Sequence, residues 1–372
     1  MKELTMKVPA ALLALLGTMM AEPKAMVRSM AEPTAEGSPR TLQTNLPTGI
    51  VIISQGRSGS TLMGALFRQQ QDMLYFYEPC RGLRRDSRDE VLDPADCFAL
   101  ASRLVKCEFS PEDVKWLGFD EGAMWMSSSV VKDTTIATGR RSQLSREDDI
   151  ARAYKTLMTA CRSSRGVVVK TIRAYDGVLR SPEHDTSGVH VLHLVRDPRG
   201  VVNSQMVQWN LDHFANILPN YEALRGIQDP DEQQVEAYRT LGYFICRNYR
   251  KQLDSSQEMG DGSKYLLLKY EDFTVLPQLV TAYIYSFFGL GEVPSNVKGW
   301  IDENTKLPSC ETKNVSAVDC NKDASAGNPY STKRNSANMA NLWRSQVPEE
   351  RSKAVWDACQ ASGVMEDLGY EL

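Results

Sequence analysis

Apolar residues recur along this chain with two different periods. Four stretches are short and nearly unbroken: "GIVII" (49–53), "GVVVK" (166–170), "VHVLHLV" (189–195) and "KYLLLKY" (264–270). Short runs of this kind, bounded by turn residues, read as strands buried on both faces. Elsewhere the spacing lengthens. "EDDIARAYKTLMTAC" (147–161) places Ile150, Tyr154, Leu157, Met158 and Cys161 on one helical face. "DPDEQQVEAYRTLGYFICRNYRKQL" begins with Asp229 as N-cap and Pro230 in the first turn, and its apolar stripe is Val235, Tyr238, Leu241, Ile245 and Tyr249. Buried strands alternating with amphipathic helices predict an α/β chain with a central parallel sheet flanked by helices. The pattern starts at Gly49, and the chain is long enough for one large or two smaller domains.

Before Gly49 there is no packing period. Residues 21–48 are rich in Pro, Ser, Thr and Glu and read as a linker or stem; "MAEP" occurs twice, at 20–23 and 30–33. Residues 1–20 differ again. Lys2 and Lys7 precede an apolar run from Val8 to Met20, which is short of the roughly 20 residues a membrane span needs but suits the core of a signal peptide or short signal anchor. A secretory leader is the expectation, either cleaved or kept as a membrane attachment. A disordered leader is the alternative.

Composition narrows the class. The chain has 372 residues, 24% of them charged, and a net charge of −4, without the basic excess of a nucleic-acid-binding protein. Basic clusters occur at "RGLRRDSR" (81–88) and "GRRSQLSR" (139–146), as solvated loop charge or as anion-facing groups. The eight Cys (80, 97, 107, 161, 246, 310, 320, 359) fit an oxidising lumen, and 310 with 320 is the easiest local pair to close. "NVS" at Asn314 is the single glycosylation sequon, inside that loop. No Cys-x-x-Cys pair occurs, and no metal is expected.

In open parallel sheets, ligands bind beyond the C-terminal strand ends. Two loops therefore draw attention. "SQGRSGST" (54–61) follows the first strand and opens a helix. Gly56 and Gly59 allow close backbone approach to an anion. Arg57 offers a guanidinium fork, and Ser58, Ser60 and Thr61 offer hydroxyls. The nucleotide loop G-x-x-x-x-G-K-[ST] requires a Lys that this loop lacks. "LVRDPRGVVNS" (194–204) follows the third of the four strand candidates. Arg196 stands at its end and Ser204 about two turns along the next helix. A Gly/Ser helix cap, and a salt bridge from Arg196 to Asp197 or another acid, are the simpler alternatives.

"SQGRSGSTLMGALFRQQQDMLYFYEP" (54–79) and "VLHLVRDPRGVVNS" (191–204) closely resemble the two cofactor motifs of sulfotransferases that use 3′-phosphoadenosine 5′-phosphosulfate (PAPS). The detail is most similar to the Golgi galactose, N-acetylglucosamine and chondroitin 6-O-sulfotransferases. Similar text runs through "LVKCEFS" (104–110), "VVVKTIRAY" (167–175), "KYLLLKYEDF" (264–273), "RNSANMANLWR" (334–344) and "LGY" (368–370). The resemblance implies a P-loop-like α/β fold, a Golgi-lumenal enzyme of the EC 2.8.2 type, a glycan acceptor sulfated at a 6-OH, and PAPS as co-substrate. It implies that Arg57 to Thr61 hold the 5′-phosphosulfate and that Arg196 and Ser204 hold the 3′-phosphate. Arg334 and Arg344 match basic positions of the C-terminal segment. Sulfonate carries less charge than a phosphoryl group, so cations and N–H donors can stabilise its transfer without the Mg²⁺ that kinases recruit.

A base must take the acceptor's proton. In related sulfotransferases a Glu is expected where Glu78 stands, and Tyr77 and Pro79 beside it could reduce its solvation. A turn Glu bonded to backbone is the alternative. The four His, at 184, 190, 193 and 213, compete for the role; His193 sits within a strand run, whereas His213 follows the second loop. Lys170 ends a strand and either reaches the leaving phosphate or lies on the surface. Trp343 either packs near the adenine or fills core. Residues 81–146 match the family only at "LVKCEFS", so a tyrosylprotein or small-molecule acceptor stays open. So do a P-loop nucleotide kinase and an inactive lumenal glycan-binding protein.

Overall fold

In the computed structural model, residues 47–80, 94–117, 126–137, 147–172, 188–209, 211–215, 218, 220–257, 262–305 and 336–372 are described. The leader and linker up to Leu46, both basic clusters, Cys310, Cys320, Asn314, His184 and Arg334 lie outside them.

Five strands form one parallel sheet in the order β2-β3-β1-β4-β5: β1 (Thr48–Ser54), β2 (Met73–Tyr77), β3 (Gly166–Thr171), β4 (Val189–Val195) and β5 (Tyr265–Lys269). Central β1 pairs Ile52 with Lys170 on one side and with Leu192 on the other. The runs from Ile50 to Ile53 and from Val167 to Val169 are almost wholly buried, as strands covered on both faces must be.

One strand is unforeseen. The strand candidates at 49–53, 166–170, 189–195 and 264–270 leave no strand between the helix after the first loop and Glu78. Instead that helix, α1 (Ser60–Arg68), is followed by β2, and Glu78 stands just past the end of β2. "MLYFY" is a five-residue apolar run, which period alone cannot divide between strand and helix.

Further helices cover the sheet: α2 (Pro94–Val105), α3 (Glu147–Ser163), α4 (Pro198–Trp209), α5 (Pro230–Gln257), α6 (Tyr270–Val275) and α7 (Glu349–Gln360). Asp229 caps α5 as expected, its Oδ1 accepting the Asp231 and Glu232 amides at 2.8 and 3.1 Å. One apolar cluster joins α1, α2 and α3 to the sheet. A second joins α4, α5 and α7 around Tyr249, Val355 and Trp343. Three disulfides cross-link the described residues: Cys80–Cys97, Cys107–Cys161 and Cys246–Cys359. The first ties the segment beyond β2 to α2, the second the turn after α2 to α3, and the third α5 to α7. Among the described residues no helix is long and apolar enough to cross a membrane.

The sheet order places the site. From β1 the chain leaves toward β2, and from β4 toward β5, on opposite sides. β1 and β4 are neighbours, so a crevice opens between their C-terminal ends, where the order reverses. Both anion-loop candidates start there.

Candidate active site

The loop after β1 winds through two left-handed residues, Arg57 (φ 74°) and Gly59 (φ 87°). Such turns direct successive amides to one side and make an anion cradle. Gly59 is required twice, because a Cβ there would also lie 2.3 Å from the Tyr270 ring. Gly56 is nearly as tight, with its Cβ site 3.1 Å from Trp209. α1 then starts at Ser60 and adds amides that have no partner within the helix, together with the positive end of its dipole. Ser60 and Thr61 line the cleft. Ser58 does not. Its hydroxyl turns into the core, 3.2 Å from the Tyr249 hydroxyl, and the residue is fully buried.

The loop after β4 brings up a second cation. Arg196 donates to the Arg57 carbonyl and to the Met339 carbonyl, both at 3.0 Å, and lies over the Tyr270 ring. Its Nε is buried without a hydrogen-bond partner. The simple alternative, an Arg196–Asp197 salt bridge, does not form. Asp197 is taken by Arg199, whose Nε and guanidinium NH2 reach the two carboxylate oxygens at 3.0 and 2.8 Å. Arg199 is fully buried, lies over the Trp343 and Trp356 rings, and also donates to the Glu371 carbonyl. The loop is held from below as well. Glu271 accepts the Asp197 amide at 3.0 Å and the Tyr370 hydroxyl at 3.1 Å, and its burial raises the carboxyl pKa. Ser204, on α4, accepts from Arg57 Nε at 3.1 Å, so the two loops meet at their side chains.

Glu78 enters from a third strand. It is 4% exposed and left-handed (φ 45°), and its amide donates to the Lys170 carbonyl at 2.8 Å. Lys170 Nζ donates to Glu78 Oε1 at 2.5 Å and sits 4.5 Å from the centre of the Tyr77 ring. Lys170 is 1% exposed, so the surface reading of this residue is wrong. Its pairing could not be read from sequence, because Lys170 and Glu78 are 92 residues apart.

The ends of β1, β2, β3 and β4 thus deliver Arg57, Glu78, Lys170 and Arg196 to one cleft of about 340 Å³. Three cations face one carboxylate in a chain whose net charge is −4, so positive charge is concentrated there. Trp343 also lines the cleft, and Gly200 admits it, since a Cβ there would come within 2.8 Å of the indole. Arg344 is not brought to the cleft. It is exposed, over the Trp343 ring, with Nε 3.4 Å from Asn341 Oδ1. His193 is fully buried, its Nδ1 bonded to the Tyr265 hydroxyl at 2.5 Å, and burial lowers its pKa to about 3. His213 is exposed and stacks on Trp209.

Residues 47–369 match the family model described as "Sulfotransferase domain". The chain belongs to the sulfotransferase domain family. Carbohydrate sulfotransferase 1 of Mus musculus is 27% identical over 92% of this chain and 84% of that protein. Carbohydrate sulfotransferase 3 of Tetronarce californica is 26% identical over 87% of this chain and 72% of that protein. Among solved structures, the sulfotransferase domain from the curacin biosynthetic pathway aligns with a TM-score of 0.46 at 15% identity, over 88% of this chain and 99% of that one. The protein is a PAPS-dependent sulfotransferase with a P-loop-like parallel sheet. The cleft suits that co-substrate. A left-handed cradle and a helix N-terminus could hold an anionic group, and Arg196 and Ser204 line the same cleft beside them. Among the described residues no His/Cys/Asp/Glu cluster could hold a metal ion.

Proposed function

We propose that this sulfotransferase sulfates a glycan, at the 6-OH of a hexosamine or galactose, in the lumen of the Golgi. The names of its relatives support the acceptor class. Three disulfides among the described residues support an oxidising compartment. In this reading residues 1–20 are the signal peptide or anchor, 21–48 the stem and 49–372 the catalytic domain. The observation that carries the proposal is the convergence of Arg57, Glu78, Lys170 and Arg196 from four strand ends on one cleft.

The roles follow from position. PAPS supplies a sulfonate on a phosphate leaving group. Arg57 and the amides of residues 59–61, with the Ser60 and Thr61 hydroxyls, hold the 5′ anionic end, Ser58 bracing the loop from the core side, and they stabilise charge as the S–O bond breaks. Arg196 and Ser204 hold the 3′-phosphate. Gly56 keeps the backbone close. Glu78 takes the proton of the attacking hydroxyl, in line with the departing phosphate. Lys170 orients Glu78 and sets a cation beside the leaving group. Arg334 and Arg344 remain candidates for outer contacts with the nucleotide.

The test is transfer of labelled sulfonate from PAPS to chondroitin, keratan-type and N-acetylglucosamine-terminated glycans, a Tyr-rich acidic peptide and small alcohols. Glu78→Gln and Arg196→Ala run beside the wild type. Breaking a buried ion pair costs about 3–5 kcal/mol, so binding of the product 3′-phosphoadenosine 5′-phosphate (PAP) is measured in each variant to confirm folding. We expect Glu78→Gln to bind PAP and lose turnover by at least about 100-fold, and Arg196→Ala to lose PAP affinity by about 10- to 100-fold. Glu78→Gln at wild-type turnover rejects the base. Label on the peptide alone rejects the glycan.

A further inference from the structure

The two anion loops are far apart in the chain, and a bisphosphate ligand can span them only if their separation is fixed. Arg57 and Arg196 lie 139 residues apart and hang on different strands. Beneath them one phenol touches both loops. The Tyr249 hydroxyl is 3.1 Å from the Arg196 amide nitrogen, 3.3 Å from the Arg196 carbonyl and 3.2 Å from Ser58 Oγ. We infer that Tyr249 is a positioning residue that sets the distance between the 5′ and 3′ halves of the anion site. The inference rests on the assignment of loop 54–61 to the 5′ end and of Arg196 with Ser204 to the 3′-phosphate.

The chemistry of a phenol suits this task. It has one proton to donate and lone pairs to accept with. Tyr249 accepts from the Arg196 amide, and its own proton goes either to the Arg196 carbonyl or to Ser58. Burial pushes its pKa up, so it stays a neutral donor. The residue is fully buried, and the His193 ring packs edge-on against it at 6.1 Å. Its mount is stiff. Cys246, one helical turn earlier on α5, is cross-linked to Cys359 of α7. Ser58 supplies the other half. With its hydroxyl spent on Tyr249 and its amide on the Gln55 carbonyl at 3.2 Å, that residue ties the cradle down from the core side.

Such a device acts on ligands that touch both loops and not on ligands that touch one. The experiment is the Kd of PAP and of 5′-AMP, which lacks the 3′-phosphate, for the wild type, Tyr249→Phe and Ser58→Ala. Melting temperatures without ligand are measured alongside. Losing the bridge should weaken PAP by about tenfold and 5′-AMP by no more than about twofold, so the preference for PAP shrinks in both variants. Ser58→Ala removes the contact from the other side and carries the test if Tyr249→Phe folds poorly. Equal loss for both ligands, or PAP affinity unchanged in both variants, overturns the role of Tyr249. A wild type that binds PAP no better than 5′-AMP overturns the assignment of the two loops itself.

Discussion

Arg57 and Glu78 both hold backbone angles that are costly for a residue with a Cβ, and both are placed in the catalytic machinery proposed above. Left-handed non-Gly residues cost about 1–3 kcal/mol each and persist where the surroundings over-determine them. Here the surroundings are visible. Arg57 is fixed by Arg196 on its carbonyl and Ser204 on its side chain, and Glu78 by the Lys170 carbonyl and ammonium. Gly59 meets the opposite demand, because its φ is left-handed and the Tyr270 ring occupies the space of a Cβ. Gly59→Ala should therefore lower stability by about 2 kcal/mol or more and reduce the rise in melting temperature that PAP produces, both read by thermal melts. An unshifted melt with normal PAP stabilisation would mean that Tyr270 yields freely. The glycine spacing and the Arg at its centre were legible in the sequence, because a cradle demands those residue types locally. The inward turn of Ser58 was not, since Tyr249, its partner, lies 191 residues away.

Four of the five strands announce themselves as apolar runs, and the fifth hides in an aromatic stretch that a helix could equally claim. That omission mattered, because β2 is what carries Glu78 to the same edge of the sheet as the two loops. The cross-links between elements were less legible still, since eight Cys allow 105 pairings and each choice depends on how the helices pack. The three observed links span 17, 54 and 113 residues. If they act by restricting the unfolded chain, their contributions should rank with those lengths. The paired replacement Cys246→Ser with Cys359→Ser should then cost about 1.7 kcal/mol more than Cys80→Ser with Cys97→Ser, measured by urea unfolding. Turnover should rank the other way. The Cys80–Cys97 link lies two residues from Glu78 and anchors its segment to α2, so its loss should lower kcat more than its modest stability cost suggests. Equal kcat in the two paired variants would show that β2 and Lys170 hold Glu78 unaided.

Across the whole molecule, charge and burial are distributed against the average. The chain is acidic, with a sequence pI of about 5.8, yet its cleft gathers Arg57, Lys170 and Arg196. Net charge argues against nucleic acid as a partner but says nothing of a local field, so that concentration became visible only once four strand ends were brought together. Burial makes a further difference, because it fixes how stability responds to pH. His193 is held neutral in the core with its pKa lowered to about 3, against about 6.5 in an unfolded chain. Between those values the unfolded chain binds a proton that the folded chain refuses. Stability therefore rises with pH across this window and is lost as pH falls below about 6.5, by up to about 1.4 kcal/mol per unit. Glu271 works in the opposite sense, because its raised pKa lets the folded state keep a proton above the pH at which the unfolded carboxyl releases it. That contribution is common to wild type and variant and cancels in a comparison. His193→Asn keeps an acceptor for the Tyr265 hydroxyl and removes the titrating ring. Denaturant unfolding at pH 7, 5.5 and 4.5 should show the wild type losing stability more steeply than His193→Asn, the difference approaching one proton near pH 5. Parallel slopes would mean that the imidazole is reached by water and protonates in the folded state.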